Sequence, residues 1–332
     1  MAVVFDFEAG KGFHFSSAFA KRFDAETSND RVFLPERLGN GFIQEVYLDN
    51  GLSLCLHQYT LNEELVLRRH ESGETDVLTI KFDSKRYEVE FGTGNFFTEV
   101  KIAPDEAIHF LVIVTTRQGL LNLLQPGAEG VGMESTIRDN PSFVLHERMT
   151  REMEQTLRQL SGIDETTKLP ALLYKTRAQE LLYFLFTRLF SRKANASLSV
   201  DEEDVEKIYR VRAMILADLS SPPQLSDLAR QIGMSLTKMK RLFRQIFGDS
   251  IYNYFQVARM NEAAQMLRNF SVSQVGYHIG FSNLSHFTRL FEKHHQIKPK
   301  RFKDRLGSVT IGMQPKLLIA ATSAATKSSD RS

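Results

Sequence analysis

The chain has 332 residues, enough for two domains, and its 42% hydrophobic and 25% charged residues are those of an ordinary soluble protein. Met1–Phe15 lacks the make-up of a signal peptide, and no uncharged apolar run reaches the roughly 18 residues a membrane span needs. Cys55 is the single cysteine, which excludes an intramolecular disulfide and a multi-cysteine zinc cluster, and a cytoplasmic protein is expected. The net charge of +2 conceals an asymmetry. Residues 1–200 carry 22 Lys+Arg against 28 Asp+Glu, or −6, whereas residues 201–332 carry 20 against 12, or +8. A basic block confined to one region suits a polyanionic partner, because each neutralised phosphate releases counterions.

In chain order, the first 115 residues predict mainly β-structure. Phe42–Leu48 and Leu52–Leu61 flank Asp49-Asn50-Gly51, a strong hairpin signal. Val77–Phe82 and Arg86–Phe91 form a second hairpin pattern, and Ala107–Thr115 a further apolar strand, together a sandwich or small barrel. Helical patterns follow over Leu145–Leu160 and Leu169–Arg192. The second has Leu172, Leu173, Leu181, Leu182, Leu185, Phe186 and Leu189 at helical spacing, a packing face that also suits a dimer helix. The small polar run Lys193–Ser199 predicts a linker, and acidic Asp201–Asp204 opens the next helix. Beyond Val205 the pattern is nearly all helix, and Gly307–Ser332 has a disordered composition. The expected fold class is α+β. A β-rich, cupin-like sensing and dimerisation domain with helices spans 1–192, with a linker at 193–204. An all-α domain follows at 205–306, its two helix-turn-helix units joined by a long helix, and a flexible tail at 307–332.

The most informative pattern is a repeat. Ala229–Ser235 recurs as Gly276–Ser282, and the copies run on to Arg241-Leu242-Phe243 and Arg289-Leu290-Phe291. A small residue lets two helices cross closely, a glycine four positions on accepts the left-handed turn, and a serine two further caps the next helix. In the first copy Leu225, Leu228 and Ile232 face inward, and Ser235 caps a helix whose buried stripe is Met239, Leu242, Phe243 and Ile246. Thr237, Lys240, Arg241 and Arg244 take the opposite face, with Lys238 on the flank for a phosphate contact. In the second copy, with one extra residue, Val272, Val275 and Ile279 pack inward and Ser282 caps a helix from about Asn283 to His294. Phe287, Leu290 and Phe291 are its buried face, while Leu284, Ser285, Thr288 and Arg289 point outward and Glu292 takes the place of Arg244. Between the copies, Ile251–Arg268 reads as a rigid spacer helix with Phe255, Ala258, Ala263, Met266 and Leu267 as its apolar side. It would set the reading helices roughly 34 Å apart. Lys298, Lys300, Arg301, Lys303 and Arg305 surround Pro299 as a phosphate clamp, with Lys300 and Arg301 its candidate contacts.

These residues carry a resemblance. Leu228–Ser235, Arg241-Leu242-Phe243, Phe247-Gly248, Arg259-Met260 with Ala263, Val275–Ser282, Phe287 with Arg289-Leu290-Phe291, and Ile297-Lys298-Pro299 resemble the DNA-binding domain of AraC/XylS-type transcription regulators over about Val205–Arg305. The resemblance implies a monomeric two-module reader of an asymmetric site in double-stranded promoter DNA, activating transcription through contact with RNA polymerase. It also implies that Thr237, Lys240, Arg241, Leu284, Ser285, Thr288 and Arg289 face bases or phosphates. Met239 and Lys240 stand where many relatives have Leu and Ser, a change of site preference. Ile208–Arg212, Ser221-Pro222-Pro223, Leu228–Lys240 and Gln179–Leu182 look like the PchR-like, siderophore-responsive branch, which implies a siderophore as small-molecule effector.

His57, His70 and His109 lie among β-rich segments without the His-x-His and carboxylate spacing of a cupin metal site, so core or surface histidines are expected and no metal or cofactor. Cys55 reads as a buried small side chain. Three functions follow: a DNA-binding regulator controlled by a small molecule in a β-rich N-domain, the same reader controlled by a protein partner or by dimerisation, and a cupin-like enzyme fused to a DNA-binding tail. The first leads, as a homodimer through Leu169–Arg192, and no enzyme is expected.

Overall fold

A computed structural model of the chain describes residues 2–8, 10, 12–48, 51–70, 74–94, 98–125, 131–164, 166–192 and 201–310. The chain forms two compact units. One comprises Met1–Ile215 with Pro223–Tyr254, the other Leu216–Pro222 with Phe255–Ser332.

The first unit opens with a β-rich region. Strands β1 (Val3–Glu8), β6 (Leu65–His70) and β9 (Thr98–Ile102) make a small sheet in the order β1-β6-β9, in which β1 and β6 run parallel. An eight-stranded sheet has the order β11-β8-β7-β10-β5-β4-β3-β2. Its strands are β2 (Thr27–Ser28), β3 (Arg31–Phe33), β4 (Gly39–Tyr47), β5 (Ser53–Leu61), β7 (Val77–Asp83), β8 (Glu88–Thr93), β10 (Ala107–Thr116) and β11 (Val144–Arg148). Both expected hairpins are present as the antiparallel pairs β4–β5 and β7–β8. The tip residues Asp49 and Asn50 of the first lie outside the described residues.

The large sheet carries a core on each face, which is why side chains of both alternate sets are buried along β5 and β10. Leu54 and Leu56 with Leu111 and Ile113 face helices α4 (Arg151–Ser161) and α5 (Pro170–Ser191), meeting Leu157, Leu181, Leu185 and Phe186. Cys55, Tyr59 and Leu61 with Ile108 and Phe110 face the small sheet and helix α1 (Phe15–Phe23), meeting Phe5, Phe19 and Leu67. Helices α2 (Arg117–Leu124) and α4 start where threonines cap them: Thr116 Oγ1 accepts from Gly119 N–H at 3.0 Å, and Thr150 Oγ1 from Met153 N–H at 3.3 Å. Helix α3 (Val131–Asp139) completes the region.

Two expectations need correction here. The stretch from Leu145 is not helical: Val144–Arg148 is the edge strand β11, paired with β8, and the amphipathic helix begins only at Arg151. The exposed edge of β8 decides this, because it offers backbone hydrogen-bond partners to Val144–Arg148, and periodicity alone does not separate so short a strand from a turn of helix. Leu172 is 60% exposed and so is not on the packing face of α5, whereas Leu181, Leu182, Leu185, Phe186 and Leu189 are buried.

Helix α6 (Glu202–Ala217) begins inside the expected linker, of which 193–200 lie outside the described residues, as does 311–332 of the expected tail. Helices α7 (Leu225–Gln231) and α8 (Leu236–Phe247) belong to the first unit, and α10 (Val272–His278), α11 (Leu284–His295) and α12 (Pro299–Thr310) to the second. Helix α9 (Ile251–Met266) is continuous, and the boundary between the units falls within it after Tyr254. No helix among the described residues is long and apolar enough to cross a membrane.

Candidate nucleic-acid interface

Helices α7 and α8 are joined by a tight turn at Gly233, whose φ of +63° only glycine adopts freely. Ser235 caps α8 as expected, its Oγ accepting from Lys238 N–H at 3.3 Å. Met239, Leu242, Phe243, Ile246 and Phe247 are buried along one side of α8. The 100° advance per residue then places Thr237, Arg241 and Arg244 on the far side, and these, with Lys238 and Lys240, are exposed. Arg241 Nη1 donates to Gln245 Oε1 at 3.3 Å, which orients the guanidinium along the helix. Lys238 is not free: its Nζ lies 2.8 Å from Asp204 Oδ2 on α6.

The second pair is built alike with a longer turn. Gly280 has φ +81°, and Val275, Ile279, Phe287 and Phe291 pack with Met260 and Ala263 of α9, with Leu267 just beyond it and with Phe281. The cap of α11 is Asn283 rather than Ser282. Its Oδ1 accepts from Ser285 N–H at 2.9 Å and His286 N–H at 3.2 Å. The extra residue of the second copy is thus accommodated in the turn, and from the caps onward the copies run in one register, 237 with 285, 241 with 289 and 244 with 292.

Of the residues expected outward on α11, Ser285 and Arg289 are exposed. Leu284 is instead half-buried, turned onto α10, where its Cδ2 lies 2.5 Å from the position a Cβ on Gly276 would take. Thr288 is half-buried, its hydroxyl donating to the Leu284 carbonyl at 2.8 Å. Lys300 and Arg301 are exposed on α12, while Lys303 of the same basic run donates to the Phe270 carbonyl at 2.7 Å.

In the sequence Arg259 figures only as part of the family pattern, with no role assigned to it. It is 4% exposed, donates from Nε and Nη2 to the Ile279 carbonyl at the end of α10, and lies between the rings of Phe255 and Phe281. Its signal was present: spacing from Phe255 to Ala263 puts position 259 on the buried side, where a lone arginine needs a carbonyl partner.

The motif-bearing segment matches a known family. A model described as a helix-turn-helix domain matches residues 228–305. The regulatory protein PchR of Pseudomonas aeruginosa is 39% identical over 64 residues, 19% of this chain and 22% of that protein. The virulence regulon transcriptional activator VirF of Yersinia enterocolitica is 28% identical over 175 residues, 49% of this chain and 61% of that one. The transcriptional activator AggR of Escherichia coli is 36% identical over 96 residues, 28% and 36% of the two chains. The chain therefore spans less than two thirds of the length of these curated relatives. Among solved structures, a transcriptional regulator with an AraC-type DNA-binding domain from Chromobacterium violaceum is 27% identical, covering 32% of this chain and 96% of that one, with a TM-score of 0.30. Residues 228–305 thus match a helix-turn-helix domain, the same segment in which the resemblance to AraC/XylS-type regulators lies.

Proposed function

We propose that this chain is a transcription regulator that reads double-stranded promoter DNA through two unequal helix-turn-helix units. The observation that carries this reading is the exposed face of α8, where Thr237, Arg241 and Arg244 stand opposite a fully buried apolar side and Lys240 is exposed on the flank. Arginine and lysine are the usual donors to guanine O6 and N7 and to phosphates. Helix α11 offers Ser285, Thr288, Arg289 and the acidic Glu292, so the first unit is the stronger anchor on an asymmetric site. Lys300 and Arg301 add phosphate contacts. Lys238 joins them when released from Asp204. Leu284 contributes by packing rather than by base contact.

Binding-site selection from randomised duplex DNA tests the reading. The full chain should enrich one asymmetric sequence, and Arg241→Ala and Arg289→Ala should each relax selection in a different half. Enrichment of no sequence would sink it.

The partition 1–192, 193–204, 205–306 and 307–332 is part of the proposal, as are a cupin-like small-molecule sensor, activation and contact with RNA polymerase. PchR-like sequence in the reader favours a siderophore as effector. The β-rich domain should then gain thermal stability in a siderophore's presence. Control by self-association is a second reading, favoured by α5. Leu169 at 72%, Leu172 and Tyr183 are exposed there along one uncharged stripe with Thr176 and Gln179. Sedimentation should give a dimer that Leu172→Asp with Tyr183→Asp converts to a monomer.

A further inference from the structure

Strand alternation puts Glu88 and Glu90 on the same face of β8, opposite Asp83 and Lys81 on β7 and opposite Arg148 and His146 on β11. A row of charges at the end of a sheet is ordinarily left to water. Here it is covered by residues from the helices that lead into and out of α7 and α8. Arg212 of α6 donates from Nη2 to Glu88 Oε2 at 2.5 Å and from Nε to Tyr254 Oη at 2.7 Å. Tyr254, in the first turn of α9, donates its hydroxyl to the other oxygen of Glu88. One carboxylate thus holds the helix before the pair and the helix after it, with both Arg212 and Glu88 largely buried.

The same end of the sheet receives α8 itself. Phe247, its last residue, lies 4.6 Å from the ring of His146, 5.3 Å from Tyr254 and 5.8 Å from Tyr209, centroid to centroid. Tyr209 Oη and His146 Nε2 are 2.7 Å apart, and Tyr209 also donates to Glu90. Just beyond α8, Arg148 of β11 pairs with Asp249. Aromatic packing supplies adhesion, but it is tolerant of sliding. The fixed fork of Arg212 on Glu88 is directional.

We propose that Glu88 is a positioning residue for the first reading helix: through Arg212 and Tyr254, the β-sheet sets where α8 presents Thr237, Arg241 and Arg244. The proposal rests on α8 being a DNA-reading helix. It makes recognition of one half of the DNA site depend on a carboxylate in the β-rich domain, and it places strand β8 on the path by which events in that domain reach the reader.

Two measurements on the full-length chain test it: amide hydrogen exchange, which needs no DNA, and affinity for the selected duplex carrying base changes in either half. In Glu88→Gln, α8 amides should exchange at least tenfold faster while those of α11 stay unchanged, and discrimination should collapse only in the half that Arg241→Ala also relaxes. A Glu88→Leu, Arg212→Met, Tyr254→Phe variant should restore most of the discrimination, because a well-packed apolar replacement leaves no buried charge unpaired. Unchanged exchange in α8 overturns the proposal. So does faster exchange with discrimination kept in both halves, or an equal loss in both. If the unaltered protein selects no DNA, the DNA-reading function itself fails, and the exchange data then show separately whether Glu88 still holds α8.

Discussion

Arg259 Nε donates to the Ile279 carbonyl oxygen at 3.1 Å, so a buried cation on α9 closes the C-terminal end of α10. Lysine cannot reproduce this. Its ammonium is a point charge without the planar fork, and it would lose the stacking between Phe255 and Phe281, whose centroids lie 5.1 and 4.1 Å from the guanidinium carbon. Arg259→Lys should therefore cost about 1.5–3 kcal/mol, the range for a hydrogen bond to a charged group. Chemical denaturation checks this, and a loss no larger than that of an exposed Arg268→Lys control would count against the assignment.

The two turn glycines should not respond alike. Gly233, at φ +63°, has open space where a Cβ would stand, so Gly233→Ala meets only the left-handed backbone penalty of about 1–2 kcal/mol. Gly280, at φ +81°, faces the backbone of Ser220, and a Cβ there would overlap its carbonyl oxygen. Asp218 pins that loop by accepting from Ser220 N–H at 2.8 Å, so the backbone has little room to yield. Gly280→Ala should cost more than about 4 kcal/mol, the range of steric failures. Asparagine tolerates the left-handed region, so Gly233→Asn should recover most of the stability and Gly280→Asn none. Equal losses at both sites would contradict the assignment.

The contrast shows what could be read from the residues alone. Glycine spacing, the apolar stripes and the outward arginines of α8 follow from the 3.6-residue period, which is local. The hairpins around β5 and β8 were legible for the same reason, since their partners are adjacent in sequence. Strands β1, β6 and β9 were not, because β1 pairs with β6 some 60 residues away and alternation alone does not announce a distant partner. At the reading faces, Leu284 was misplaced because its environment depends on the missing side chain of Gly276 across the pair. Lys238 was expected only to lie on the flank for a phosphate contact, and its ion pair was not legible because Asp204 lies on a separate helix.

Acid should destabilise the β-rich domain from near neutrality. Burial lowers His57 and His146 from 6.5 to about 3. Between those values the unfolded chain binds protons that the folded chain refuses. Stability is therefore full above about pH 6.5 and falls as pH drops toward 3, by about 1.4 kcal/mol per pH unit for each histidine. His57 stacks on Phe110 with centroids 4.0 Å apart, and its buried Nδ1 has no hydrogen-bond partner among the described residues. Phenylalanine keeps the stack and removes the unmatched nitrogen. His57→Phe should keep its stability at pH 7 and show a shallower decline between pH 6 and 4 in urea titrations. Parallel declines for the two proteins would mean that His57 titrates normally in the folded state.

Asp204 should restrain DNA binding through Lys238. The pair is 2.8 Å apart with the lysine side chain 46% exposed, a geometry worth at most about 1 kcal/mol in water. A DNA phosphate brought to the flank of α8 competes for the same ammonium and gains counterion release, which an internal carboxylate does not offer. Asp204→Asn removes the competitor without altering the shape of the first turn of α6. Affinity for the selected duplex should rise a few-fold at low salt. The slope of log affinity against log salt should steepen by about 0.9, the value for one further phosphate contact. Lys238→Met should cancel both changes when combined with Asp204→Asn, since the effect runs through that ammonium alone. If the double variant keeps the steeper slope, Asp204 repels DNA directly and Lys238 makes no phosphate contact.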